Sequence, residues 1–184
     1  GIIPVPTASS LTEHELMKLT KVIEPKAIIT SESLGTNFHN TQIISETDIE
    51  EFSFEGRKAK FTRGNPNRLA YIVFTSGTSN RPRAVQHAHR AIWARKSMHS
   101  DWYSLTSNDR LLHAGALNWT YTLGTGLLDP WSIGATSIVL EDNLTISDIP
   151  NVIKNSNATL FAAVPGVYRN CLLYTSPSPR DGTK

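Results

Sequence analysis

Hydrophobic and polar positions fall in short blocks along this chain, and the period of the blocks switches between that of a strand and that of a helix. Ile2-Ile3-Pro4-Val5-Pro6 reads as an extended or edge strand, because each proline removes a ladder donor and restricts the residue before it. A helix follows: Thr12 and Glu15 have the spacing of a capping box, Leu16, Leu19 and Ile23 share one face, and Pro25 stops it. Residues 27–30 make a second short strand. From 31 to 68 periodicity weakens, and the stretch reads as a linker-like connection with one short hairpin around 52–61. Its acids, Glu46, Asp48, Glu50 and Glu51, lack the spacing of a calcium loop and read as a solvated face. Tyr71-Ile72-Val73-Phe74 has the β-branched and aromatic make-up of a buried strand. A helix is expected over 86–103, strands over 111–114, 136–140 and 158–164, and a short helix over 146–153 with Ile149, Val152 and Ile153 inward. Strands alternating with helices in this way predict an α/β fold with a largely parallel, doubly wound sheet.

Composition sets wider bounds. At 184 residues, 39% hydrophobic and 18% charged, the chain can bury one substantial core. A formal net charge of +2 is too small to imply a nucleic-acid partner, so Arg90, Arg95 and Lys96 read as a solvated helix face. No apolar run reaches the length of a membrane span and no leader-like segment opens the chain, which makes the cytoplasm the expected location. Gly1 in place of Met suggests a cut beginning. His87 and His89, two apart, would point to different faces of a helix, and no third ligand is near, so no metal site is expected within this chain.

The strongest chemical signal is the run YIVFTSGTSNRPRAV, residues 71–85. A buried strand stops at Thr75, Ser76, Gly77, Thr78 and Ser79, which offer four hydroxyls and one glycine where a backbone can approach a ligand closely. Arg81 and Arg83 then add fixed positive charge. That set of donors and cations suits a polyphosphate. The P-loop and the dinucleotide fingerprint are both excluded, since Gly77 stands alone and the pair Gly124 and Gly126 lacks a third glycine.

The same run resembles the phosphate-binding signature of the adenylate-forming (AMP-binding) enzymes, which include acyl-CoA synthetases, luciferases and peptide-synthetase adenylation domains. Their signature reads T-S-G-T-T-G-x-P-K-G. Thr75, Ser76, Gly77, Thr78 and Pro82 match it and Ser79 keeps the hydroxyl; Asn80, Arg83 and Ala84 stand where the family has glycine, lysine and glycine. His89 falls where the family commonly has a histidine after the loop, and ATLFAAVPGVYRN is similar to a phrase that precedes its adenine-binding motif. Farther along, HAGALNWTYTLGTG mixes apolar bulk, glycines and a few polar groups, as a pocket for an organic acid requires. Acyl-CoA synthetases often carry a Gly-Trp pair lining the acyl site there, and Asn118-Trp119 occupies that place; the alternative is that Trp119 is a core residue.

The resemblance, closest to the acyl-CoA synthetases, implies that residues 1–170 are a fragment of the large N-terminal domain. It implies that Thr75, Ser76, Gly77, Thr78, Ser79 and Arg83 bind the phosphates of ATP. It places Asn118, Trp119, Gly115 and Gly124 at the acyl pocket. The implied reaction joins a small carboxylic acid to AMP with release of pyrophosphate, then passes the acyl group to CoA. Mg2+ is the implied metal, with its ligand outside this fragment, and the fragment is expected to be inactive alone. Rival readings are a nucleotide-binding module without chemistry, an inert remnant and, within the family, a peptide-synthetase adenylation domain. Residues 171–181, CLLYTSPSPRD, resemble the translation of a transposase-adapter sequence, so residues 171–184 are set apart as a tail that is not a domain.

Overall fold

The computed structural model describes residues 1–31, 38, 41–53, 61–76 and 82–175. Its centre is a three-stranded parallel sheet of order β6-β5-β7, built from β5 (Arg110–His113), β6 (Thr136–Ile138) and β7 (Leu160–Ala162). Successive side chains of β5 go to opposite faces. Leu111 packs with Leu105 and Ala135 on one side, and Leu112 packs with Ile149 and Cys171 on the other. Both faces of the central strand are therefore covered, as a doubly wound sheet demands. A second parallel pair joins β1 (Ala27–Ile29) to β2 (Gln42–Ile44). An antiparallel ribbon joins β3 (Leu69–Ser76) to β4 (Pro82–Ala88).

Local chemistry explains most helix boundaries. Helix α1 (Glu13–Ile23) starts with a complete capping box: the Glu15 N–H donates to Thr12 Oγ1 at 3.3 Å and the Thr12 N–H donates to Glu15 Oε2 at 2.9 Å. It ends at Glu24, in the left-handed region just before Pro25. Ile2 to Pro6 forms no ladder, but the Pro4 carbonyl accepts the Ile72 N–H at 3.1 Å, laying this stretch beside β3.

Two regions differ from the sequence expectation. Within 31–68, β2 and the helix α2 (Glu46–Ser53) stand where a connection was expected, and the acid cluster lies on that helix. Ser45 and Asp48 cap α2 reciprocally, at 2.7 and 3.1 Å, which is a local signal of the kind that marks α1. Phe52 thus lies in a helix, and residues 54–60 of the expected hairpin lie outside the described residues. The helix expected from Gln86 begins only at His89, because Pro82 to Ala88 pair with β3 instead. Ala, Gln and Arg favour a helix by tenths of a kcal/mol each, roughly, and an open strand edge that pairs seven residues outweighs that preference. His87 is consequently a strand residue, stacked on the Tyr71 ring at 4.5 Å. The helix itself breaks at Arg95 and Lys96 into α3 (His89–Ala94) and α4 (Ser97–Tyr103).

Helical backbone also runs from Thr120 to Ile133, widened to a π-helix over Thr122–Leu128 before closing as α5 (Asp129–Ile133). A buried ion pair ties this segment to α3 and α4. Arg95 donates from Nε and Nη2 to the two carboxylate oxygens of Asp129, each at 2.6 Å, and from Nη2 to Thr125 Oγ1 at 3.2 Å. Tyr103 donates its hydroxyl to Asp129 Oδ2 at 2.6 Å. Asp129 is 1% exposed. Its hydrogen bonds and charge hold the Arg95 proton still more tightly, while burial, followed by the bond to Asp129, raises the Tyr103 pKa. Arg95 is therefore not the solvated residue expected from sequence. Beyond Ile146–Asp148, a 3-10 turn, α6 (Ile149–Asn155) and α7 (Pro165–Thr175) cover the second face of the sheet. α7 runs on past Asn170, and Cys171 is buried against Leu112 and Ile149.

Asp129→Ala should cost about 2–3 kcal/mol in urea unfolding, because it strands a partly buried guanidinium and a partly buried hydroxyl. The double change Arg95→Met with Asp129→Leu should recover most of that loss, since no charge is then left unpaired. A single-mutant loss below about 1 kcal/mol would mean that the pair behaves as a solvated one.

The capping bonds predict the acid limb of stability. Thr12 holds the Glu15 carboxyl below its ordinary range, Ser45 does so for Asp48, Thr159 and then Thr106 for Asp109, and Thr145 for Asp148. Between folded and unfolded pKa values the unfolded chain binds more protons, so stability falls as pH falls through this window, below about pH 4. Burial lowers the His113 pKa from 6.5, which adds an earlier loss that starts as pH drops below 6.5. Urea midpoints from pH 8 to 3 should fall in these two stages, and Asp109→Asn should flatten only the lower one.

Candidate functional site: a ribbon mouth and two adjoining cavities

The ribbon of β3 and β4 presents the candidate phosphate groups. Register pairs Thr75 with Arg83 and Ser76 with Pro82, so a hydroxyl and a guanidinium stand directly across from one another at the open end. Both Thr75 and Arg83 are exposed. The ribbon is held at its other end by Ala70, Tyr71 and Val73, which form one core cluster with Leu123 of the π-helix. Gly77, Thr78 and Ser79, the remaining expected phosphate ligands, lie outside the described residues.

Beside the ribbon is a cavity of about 880 Å³. Phe74, Thr75 and Pro82 form one wall, Asn118 to Tyr121 another, and Pro6 to Ala8 with α1 the third. Thr75 and Trp119, far apart in sequence, thus meet in one space. Trp119 is 66% exposed, so it is no core residue of the described structure. It stands at the start of the helical segment, where its carbonyl accepts the Leu123 N–H at 2.8 Å.

A second cavity of about 440 Å³ adjoins the first, sharing Thr7, Ala8 and Asn118 in its wall. It lies at the carboxyl end of the parallel sheet, where open α/β sheets bind their ligands. Gly115 and Asn118 line it, and so does His113, the last residue of β5. Gly124 lines neither cavity. A Cβ there would sit 2.6 Å from Arg95 Cζ, so this glycine makes room for the guanidinium of the buried pair. Gly126 does the same for His113, whose Cβ would lie 2.7 Å from an added methyl group. Ser137 donates its hydroxyl to the Gly126 carbonyl, fastening the π-helix to the sheet.

His113 and Asn118 have unmet hydrogen bonds. Both imidazole nitrogens of His113 and the Asn118 Oδ1 are buried without a partner. His113 was not singled out from the sequence; its signal was a titratable residue closing the otherwise apolar run Leu111-Leu112. Arg95 and Asp129 were missed as partners because their separation in sequence hides the pair. Among the described residues no group of three or more His, Cys, Asp or Glu is placed to hold a metal ion, and no helix is long and apolar enough to cross a membrane. The described donors fit phosphate oxygens and an organic acid; they do not supply a magnesium site.

Known proteins share this fold. The AMP-binding enzyme family matches residues 1–182. A 3-hydroxybenzoate–CoA ligase of Aromatoleum sp. (strain CIB) is 29% identical over 107 residues, covering 58% of this chain and 20% of the relative. The mitochondrial acyl-coenzyme A synthetase ACSM3 of Rattus norvegicus is 23% identical over 190 aligned residues, covering 92% of this chain and 32% of that protein. Among solved structures, a benzoate CoA ligase from Burkholderia xenovorans LB400 superposes with a TM-score of 0.80 at 24% identity, over 97% of this chain and 37% of that one. A Brucella canis acyl-CoA synthetase gives the same TM-score, 0.80, at 18% identity, over 94% and 34%. The chain spans 20% to 32% of the length of these curated relatives. A polyphosphate-type signature on an antiparallel ribbon, set against a parallel α/β sheet of matching topology, accords with the match along almost the whole sequence: the chain belongs to the AMP-binding enzyme family.

Proposed function

We propose that the protein of which this chain forms part activates a carboxylic acid with ATP and then transfers the acyl group to CoA. The observation that carries this reading is the meeting of Thr75, at the ribbon mouth opposite Arg83, with Asn118 and Trp119 in the wall of one cavity. A nucleotide triphosphate lying along the ribbon end would bring its phosphates to the Thr75 hydroxyl and the Arg83 charge. An acid in the cavity would lie against Trp119. Its carboxylate oxygen attacks the α-phosphorus, the bond to the bridging oxygen breaks, and pyrophosphate leaves with that electron pair. In the second step the CoA sulfur, having lost its proton, attacks the acyl carbon and AMP departs.

The chain's own contribution is positioning and charge stabilisation. Hydroxyl donors and a guanidinium fixed before the reaction need no reorganisation as charge moves to the leaving pyrophosphate. The expected setting is the cytoplasm, where ATP and CoA are supplied.

In the full-length protein, Arg83→Ala should slow acid-dependent exchange of pyrophosphate into ATP by about ten- to a thousandfold, the range for one lost charge contact. Arg83→Lys should retain part of the rate, because charge survives while the planar fork does not. Exchange unchanged in Arg83→Ala would remove this residue from the site.

Trp119→Gly should move acid preference towards bulkier substrates and leave ATP affinity unaltered, since it opens space of indole size in the cavity wall. Ratios of kcat/KM across acids of increasing size measure the effect. An equal loss on every acid would remove Trp119 from substrate selection.

A further inference from the structure

The smaller cavity has a polar inner wall that packing does not explain. His113 is 5% exposed, and both its ring nitrogens lack a hydrogen-bond partner. Asn118 Oδ1, in the wall of the same cavity, is likewise buried and unpartnered. A buried polar group without a partner is costly, and an apolar side chain in its place would avoid the cost. Yet the backbone leaves room for this ring: a Cβ at Gly115 would lie 3.2 Å from its Cε1 and Nδ1, and one at Gly126 would lie 3.2 Å from its Cγ. Tyr121, 40% exposed, meets the imidazole edge-on at 4.6 Å between ring centroids.

Donor and acceptor counting selects the missing group. Burial favours the neutral imidazole, with one N–H donor and one acceptor nitrogen, and Asn118 adds a carbonyl acceptor. An ammonium group only donates and would leave the imidazole N–H unmet. A carboxylate only accepts, and Glu141 and Asp142 stand in the same wall. A hydroxyl does both, as a water filling the cavity does: it accepts from the imidazole and donates to the asparagine carbonyl or to the second ring nitrogen. A substrate hydroxyl entering this space replaces that water without losing its bonds.

We propose that His113 and Asn118 form a subsite for a hydroxyl group on the tail of the carboxylic acid, which makes the substrate a hydroxy acid. The placement rests on the acid-activation reading above: a carboxylate held near Thr75 and Trp119 in the larger cavity extends its tail past Asn118, which both cavities share. His113 then closes the far end.

The test uses the 184-residue chain labelled with 15N at histidine, with the His113 ring signals identified by their loss in His113→Gln. Phenol is titrated against benzene, and 3-hydroxybenzoate and 4-hydroxybenzoate against benzoate. Phenol should shift the His113 nitrogens where benzene does not, and a hydroxybenzoate should bind at least about tenfold tighter than benzoate, as polar sites discriminate against an analogue lacking the hydroxyl. His113→Leu should abolish that preference while benzoate still binds; His113→Gln, which keeps a donor and an acceptor, should keep part of it. The inference is overturned if phenol leaves the His113 nitrogens unmoved, or if the preference survives in a folded His113→Leu variant. Should His113→Leu fail to fold, the wild-type nitrogen shifts and His113→Gln decide. Equal binding of benzoate and its hydroxy derivatives overturns this inference and leaves acid activation standing. A response to phenol with no binding of any acid overturns the hydroxy-acid inference, while acid activation is decided separately by pyrophosphate exchange in the full-length protein.

Discussion

A carboxylate that water does not reach has to be met from several sides at once, and Asp129 is met by Arg95 and Tyr103. His99 stands close as well, with Nε2 3.4 Å from Asp129 Oδ1 though without hydrogen-bond geometry. Those residues come from the end of α3, from α4 and from the π-helical segment, so one charge fixes the relative position of three pieces of backbone. Such a pair adds little net stability over an apolar packing, since desolvation offsets most of the attraction. Its effect is on arrangement: any other placement of these helices leaves a buried charge unpaired.

The candidate site inherits that arrangement. Leu123 of the π-helix packs with Ala70, Tyr71 and Val73, so the strand that leads to Thr75 rests on the same segment that Asp129 anchors. The segment's first residues are Trp119 and its neighbours, and its Gly126 fits against His113. Ribbon mouth, cavity wall and the end of the central strand are thus positioned through a single length of helix. Three of its features serve this contact: Gly124 admits the guanidinium, Gly126 admits the imidazole, and the wide π turns bring both glycines to their partners.

Local patterns carried much of this information. The capping box at Thr12 and Glu15, the apolar face of α1 and the composition of β3, β5 and β7 gave those elements directly, because each depends on neighbours in sequence. The helix of 86–103 misled because helix propensity is weak beside an available strand edge; β3 ends at Ser76, just before Pro82, but the small residues between them suggest a ligand loop rather than a hairpin connection. Thr75 to Ser79 drew attention by their density of hydroxyls. The Arg95–Asp129 pair stayed hidden, since a charge 34 positions away cannot be matched to its partner without the fold. Glycine roles were legible only in kind: Gly124 does allow a close approach, but to a guanidinium within the protein. Family resemblance gave the family itself, which the match over residues 1–182 shows, while the cavity residue His113 carried no motif at all.

The antiparallel register of the ribbon makes the chain unequally tolerant of changes in length. Within β4 side chains alternate, so that Arg83, Val85 and His87 share the face of Thr75, Val73 and Tyr71. One residue inserted between Arg83 and His87 would reverse the facing of every position on one side of it. Either the stacking of His87 on Tyr71 is lost, or Arg83 is swung away from Thr75. In β4, then, a shift of a single residue disconnects the charge from the hydroxyl it faces, whereas a substitution there leaves the frame in place.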